Sequence, residues 1–292
     1  MKLFVDNLTN SDFSYLHHTR GLLGETWLSH IQLEGDLDDQ GMICDFGIVK
    51  STVRDLLDDL IDHRLLIPGR AKNGSLDEVL DDLDYTKRHR TTWTLDTGES
   101  IFHESPLQAV TVIDTEEITA ESVSHWCEKK LKALLPDTIQ SIKVSFTTEK
   151  IEGAFYHYSH GLKKHNGKCQ RIAHGHRSKI EIQRNQKRDS QLEDHWSDKL
   201  RDAYVGTKSD LVDPSLGKAS DKSGENYHFL YESPEGKFEL SLPKSHCYVI
   251  DQDTTVENIT HHIALKTKQE ALADNISVKG FEGISKGAIV SL

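Results

Sequence analysis

Between Val49 and Ile61 the apolar positions Val49, Val53, Leu56, Leu57, Leu60 and Ile61 recur at helical intervals, leaving Lys50, Arg54, Asp55, Asp58 and Asp59 on the other side. That pattern predicts an amphipathic helix whose apolar stripe is core. Elsewhere the period shortens to two. Lys179-Ile180-Glu181-Ile182 alternates polar and apolar, and Trp27–Leu33 also reads as a strand, followed by a turn at Gly35–Gly41 and a returning segment at Met42–Cys44. Residues 70–92 are charged and carry Gly and Ser, which predicts a loop leading into a hairpin at Trp93–Phe102 that turns at Gly98, with a counterpart around Ser233–Gly236. A helix from about Thr119 to Leu135, stopped by Pro136, precedes a strand at Ser141–Phe146; a helix from Thr255 precedes one at Ile276–Phe281.

These elements repeat at about half the chain length. Phe13-Ser-Tyr-Leu-His-His18 answers to Phe155-Tyr-His-Tyr-Ser-His160, and Val112-Ile-Asp114 to Val249-Ile-Asp251. Thr119-Ala-Glu-Ser-Val-Ser-His125 answers to Thr255-Val-Glu-Asn-Ile-Thr-His261. In the last pair a Thr caps free amides and a Glu in the first turn suits the helix dipole. Three ordered matches predict an α+β chain of two tandem related units, 1–148 and 149–292, each two strands, two helices and further strands.

Composition narrows the function classes. Asp and Glu exceed Lys and Arg by 47 to 35, a formal net charge of -12, which argues against nucleic acid or an anionic membrane reached by electrostatics and leaves a small anionic ligand needing a local site. Cys44, Cys127, Cys169 and Cys247 are scattered without a Cys-x-x-Cys pair, as expected of reduced thiols. Charge interrupts the first residues too soon for a signal peptide, and no apolar run approaches the ~20 residues of a membrane span. The expectation is a cytoplasmic protein.

Chemistry concentrates between Ser159 and His176. His174-Gly175-His176 runs into the Lys179–Ile182 strand, and residues two apart on a strand share a face. Two imidazoles on one face can hold one metal, and His160 from a preceding strand would give the three protein ligands usual for a catalytic zinc. The plain alternative is a polar, His-rich loop.

At these residues the chain resembles the 6-pyruvoyl-tetrahydropterin synthase and 6-carboxy-tetrahydropterin synthase family, built on the tunnelling fold. The family pattern of a first-strand His, a Cys and His-Gly-His falls on His160, Cys169, His174 and His176. The pterin-anchoring Glu falls on Glu282 in Val278-Lys-Gly-Phe-Glu-Gly-Ile-Ser-Lys-Gly. In the first half the resemblance lies in Gly35–Phe46, the following helix, and Ile61-Asp62-His63-Arg-Leu-Leu, similar to the family's Asp-His pair. Departures are as informative. The His-Gly-His position of the first half holds Leu23-Gly24-Glu25, its Cys loop has nearly vanished, and its anchoring Glu would fall near Phe146; the second half has only Asp194-His195, near the start of its helix, as a weak Asp-His candidate. Each half lacks what the other retains, so complete sites require both.

The resemblance implies 7,8-dihydroneopterin triphosphate as substrate and Zn²⁺ on His160, His174 and His176, where a cation lowers the pKa of bound hydroxyls. Cys169 would take a proton from the side-chain carbon next to the pterin, unless it is an inert buried thiol. His63 would move protons with Asp62 orienting it, unless the pair merely ends a helix. Glu282 would accept paired hydrogen bonds from the pterin, unless it is a surface charge. Thr255 is a candidate binder whose capping role is the simpler reading. The implied product is 6-carboxy-5,6,7,8-tetrahydropterin, on the route to queuosine, or else the 6-pyruvoyl compound. The rival classes are a non-catalytic pterin or purine binder and another zinc hydrolase. The tunnelling fold further implies that each unit is an antiparallel sheet with two helices on one face, and that units join edge to edge into a β-barrel in a homo-oligomer. The inserts at 70–92 and 206–226 carry no assigned role.

Overall fold

The computed structural model of the protein describes every residue except 82–85, 137 and 220–223. The first half runs β1 (Lys2–Val5), β2 (Asn10–His17), β3 (Gly21–Gly35), α1 (Phe46–Leu60), β4 (Leu65–Pro68), β5 (Gly74–Leu80), β6 (Lys87–Thr94), β7 (Ser100–Pro106), β8 (Val110–Ile113), α2 (Ala120–Leu131) and β9 (Ile139–Thr147). Asp45 starts α1 by accepting from the N–H groups of Gly47 at 2.5 Å and Ile48 at 3.3 Å. The predicted stripe is buried: Val49, Val53, Leu56 and Leu57 pack with Val123, Cys127 and Leu131 of α2 on Phe13, Leu23 and Ile31 of the sheet. Each such side chain contributes about 1.5–3 kcal/mol relative to exposure.

The second half follows as β10 (Phe155–His160), β11 (His174–Arg184), β12 (Lys187–Arg188), α3 (Ser190–Lys199), β13 (Ala203–Thr207), β14 (Asn226–Ser233), β15 (Gly236–Pro243), β16 (Cys247–Ile250), α4 (Val256–Glu270), β17 (Ile276–Phe281) and β18 (Gly287–Ser291). Strand order is the same in both halves. One main sheet contains β8-β4-β2-β3-β9 and the other β16-β13-β10-β11-β17. In each, the first hairpin is antiparallel while the strands after the helix pair in parallel, β2 with β4 and β4 with β8, β10 with β13 and β13 with β16. The sheets are therefore mixed rather than antiparallel throughout: α1 carries the chain from β3 across to the far side of β2, and the excursions through β5–β7 and β14–β15 bring β8 and β16 back beside β4 and β13 in the same direction.

The segment expected as a loop over 70–92 contains β5, which pairs with β6 from Gly74↔Trp93 to Leu80↔Lys87. Its charged composition suits an edge strand exposed on both faces, a case that period-two alternation does not flag. The hairpins of the two halves form one sheet, β14-β15-β7-β6-β5, joined where β15 pairs with β7. A core of Leu16, Leu22, Trp93, Phe229, Phe238 and Leu240, among others, lies against it. Of the 206–226 insert, the described part holds short 3-10 turns at Lys208–Asp210 and Pro214–Leu216.

The two main sheets also meet directly, at small residues. Ser14 and Ser159 touch through their hydroxyls at 2.7 Å, and a Cβ on Gly24 would fall 1.8 Å from the Tyr158 carbonyl oxygen, one on Gly175 2.6 Å from the Gly24 Cα. Only glycine allows this approach. It brings Asp12 and the end of α1 within reach of β11.

Candidate metal and proton-transfer site

His160 ends β10 directly opposite His174, and Tyr158 sits opposite His176; the three imidazoles are almost wholly buried, none more than 1% exposed. Nδ1 of His160 is 2.8 Å from the Thr254 carbonyl oxygen, and Nδ1 of His174 is 2.9 Å from that of Arg171. Carbonyl oxygens only accept, so both Nδ1 atoms carry the proton and both Nε2 atoms present bare lone pairs. Nδ1 of His176 lies 3.2 Å from Oδ1 of Asp12.

The Nε2 atoms converge. Those of His160 and His176 are 3.2 Å apart, and that of His174 is buried without a hydrogen-bond partner. Each of the three rings offers a ligand atom within 4.8 Å of the others. Burial, followed by the neighbouring imidazoles, pushes His160 and His174 far below the usual histidine range, which keeps them in the neutral form that binds metal. Three lone pairs aimed at one buried point are costly unless something positive occupies it. The residues present therefore fit a nitrogen-ligated metal such as zinc.

The first half reaches this point through the turn after α1. His63 adopts φ +53°, its N–H donates to the Asp12 carbonyl at 2.6 Å, and its Nδ1 is 2.5 Å from Oδ2 of Asp62. Its ring centroid is 5.0 Å from that of His174, and His63, Cys169 and His174 form a second group with ligand atoms within 4.8 Å of one another. Burial pulls the His63 imidazole down, but the Asp62 carboxylate and the Cys169 thiol together more than offset it and raise the pKa to about 10. Cys169 lies in the loop between β10 and β11, which docks on the first half: Lys168 donates to the Asp58 carbonyl, and Arg171 to the His63 carbonyl at 3.3 Å.

Glu282 follows β17. Its Oε1 is 3.9 Å from Nε2 of His176 and its Oε2 3.8 Å from Nζ of Lys286. Thr255 takes the simpler of its two readings: its hydroxyl accepts from the Asn258 N–H at 3.3 Å as the cap of α4, and its neighbour Thr254 is the residue that holds His160. Asp194 and His195 are exposed on α3, away from this cluster. Sequence reasoning did not single out Asp12, Thr254 or Lys286. An aspartate, a threonine and a lysine in polar contexts give no linear signal; only the packing of two sheets makes them neighbours.

The strand pairing also corrects the register of the repeat. Tyr15 opposes Leu23 as His160 opposes His174, so Phe13 matches Tyr158 rather than Phe155. At the corresponding place in the first half stand Tyr15, Leu23 and Glu25, which offer one carboxylate and no imidazole. The turn that carries His63 likewise has a counterpart, Asp202, at φ +57°. It pairs with Arg20 of the first half through Arg20 Nε at 2.8 Å.

Fold and site together define an α+β protein with a buried tris-imidazole centre on one half and an Asp-His pair from the other closing over it. A family model for 6-pyruvoyl tetrahydropterin synthase matches residues 9–157, just over half of the chain. The chain belongs to that family. It is 23% identical over 140 residues to a Pyrococcus horikoshii protein described provisionally as a 6-carboxy-5,6,7,8-tetrahydropterin synthase, covering 46% of this chain and 72% of that one. Among solved structures, the 6-pyruvoyl tetrahydropterin synthase of Plasmodium vivax aligns with TM-score 0.41 and 17% identity over 50% of this chain and 90% of that chain. That of Plasmodium falciparum aligns with TM-score 0.40 and 15% identity over the same shares. Among the described residues no helix is long and apolar enough to cross a membrane.

Proposed function

We propose that the chain is a zinc-dependent pterin synthase, a lyase that acts on 7,8-dihydroneopterin triphosphate with loss of triphosphate, and that both halves are tunnelling-fold units. One observation carries this reading: Asp62-His63 of the first half stands beside His174, with the Cys169 thiol between, at the centre formed by His160, His174 and His176. Neither half holds such a set alone. Zinc bound by the three imidazoles would supply Lewis-acid polarisation of the substrate's side-chain hydroxyls. Cys169 takes the proton from the carbon beside the pterin ring. His63, protonated at neutral pH through its bond to Asp62, delivers and recovers protons at the side-chain oxygens. Glu282 accepts hydrogen bonds from the pterin's amino group and ring N–H, exchanging Lys286 for the ligand.

Within this class we favour the 6-carboxy-5,6,7,8-tetrahydropterin product over the 6-pyruvoyl one, supported by the relative of that description. The test is incubation of zinc-loaded protein with 7,8-dihydroneopterin triphosphate, with products identified by mass spectrometry. A carboxy product with release of a two-carbon fragment is expected; a pyruvoyl product would move the chain to the other branch. Tight pterin binding without triphosphate release would make it a binder instead.

A further inference from the structure

We infer that Asp12, on β2 of the first half, is the positioning residue that registers the metal centre of one half against the proton-transfer pair of the other. The inference rests on the metal reading above.

Asp12 is 1% exposed and engages both parts of the site at once. Its side chain faces the centre: Oδ1 is 3.2 Å from Nδ1 of His176 and accepts from the Thr26 hydroxyl at 2.5 Å, while Oδ2 is 3.3 Å from Nζ of Lys286. Its main chain holds the pair: the N–H donates to Oδ1 of Asp62 at 2.9 Å, and the carbonyl accepts from the His63 N–H at 2.6 Å. The approach to His176 is oblique, since Nδ1 makes no hydrogen bond of standard geometry; it is a direct contact between a buried carboxylate and the ring nevertheless.

Physical chemistry makes this contact matter. His160 and His174 are oriented by neutral carbonyls, so Asp12 supplies the charged partner of the three ligands. A carboxylate behind an imidazole fixes its tautomer and raises its basicity toward a metal, and loss of such a partner typically weakens metal binding about 10–100-fold. The charge is itself secured. Thr26 and Lys286 occupy its remaining acceptor positions, and the turn at Gly283 packs so closely that a Cβ there would fall 2.5 Å from Oδ1. Because Lys286 also reaches Glu282, the residue expected to anchor the pterin is tied to the same carboxylate.

The test compares wild type with Asp12→Asn, which keeps the volume and the main-chain bonds to Asp62 and His63. Zinc affinity is measured by competition with a chromophoric chelator, and the visible spectrum of the cobalt-substituted protein reports ligand geometry. Asp12→Asn should bind zinc about 10–100-fold more weakly and shift the cobalt bands while the metal-free protein stays folded by circular dichroism. A folded variant with wild-type affinity and spectrum overturns the inference. If Asp12→Asn does not fold, Thr26→Val, which removes the hydroxyl holding Oδ1, must weaken zinc binding, and unchanged affinity in that variant overturns it. Wild-type protein that binds neither zinc nor cobalt would sink the metal reading itself, a result distinct from wild-type binding that the variants leave unaltered.

Discussion

Of the residues around the centre, His63 has the least local reason to be there. Its left-handed backbone, φ +53°, is uncommon for a non-glycine residue, and the two main-chain bonds of Asp12 to this turn hold it. If His63 moves protons as proposed, removing the imidazole should take away that step and leave binding of zinc at His160, His174 and His176 unchanged. We expect His63→Ala to lose about 10²–10⁴-fold in turnover with unchanged zinc content, followed by product mass spectrometry and metal analysis in parallel. Full activity in that variant would show that the first half contributes nothing to the reaction. Glu25, at the place corresponding to His176, makes a second prediction. Burial lifts its pKa to about 7, partly opposed by the Thr26 N–H and by Arg177 and Arg20. The folded state thus binds a proton that the unfolded chain releases near 4.5, so this group's contribution is complete below that pH and is lost as pH rises to about 7. Glu25→Gln should flatten the stability profile over that window. It should also be more stable than wild type at pH 8 by roughly 3 kcal/mol. Denaturant melts check it: the same change in unfolding free energy between pH 5 and pH 8 in wild type and variant would disprove it.

Among elements, the two first hairpins decide the geometry. The β2–β3 and β10–β11 pairs approach through Gly24, Gly175, Ser14 and Ser159, and a side chain at either glycine would have to push a carbonyl aside. Gly24→Ala should cost at least the 1–3 kcal/mol usual for overpacking. It should weaken zinc binding as well, because the displaced sheet carries Asp12 and the turn of His63. Thermal melts with and without zinc check both effects; a variant as stable as wild type would mean that the sheets separate freely. At this scale the fold is legible in the sequence where periodicity is strong. The stripe from Val49 to Ile61 is α1, Ile276–Phe281 is β17 as predicted, and Thr119 and Thr255 cap α2 and α4. It is illegible where strands are polar, as at β5, since an edge strand with two solvated faces lacks the alternation that marks a half-buried one.

For the whole molecule, the consequence is that one chain supplies both parts of the site. His63 and His174 meet within a single polypeptide, so two inactive full-length variants, His63→Ala and His174→Ala, should not restore one another when mixed or refolded together. Recovery of turnover in the mixture would instead show sites completed between chains. Metal removal offers a measure of coupling. A ligand that binds only the folded state stabilises it by RT ln(1 + [L]/Kd), so chelation should lower the melting temperature and added zinc restore it in a concentration-dependent way. A melting temperature indifferent to zinc would argue against ligation by His160, His174 and His176.

The sequence by itself determined the local chemistry and the local elements. Two histidines spaced by two on a strand must share a face, a Thr before a helix must meet its free amides, and the histidine-rich and Asp-His segments are each visible in a short window. Their partnership is not a local property. Asp62-His63 lies about a hundred residues before the imidazoles it adjoins, and Asp12 precedes them by more. Only the close approach of two sheets at Gly24 and Gly175 sets Asp12 against His176 and His63 beside His174. That approach depends on small residues packing across the two halves. Such contact leaves no periodic trace along the chain, because it is fixed by surface shape between elements rather than by the spacing of residues within one.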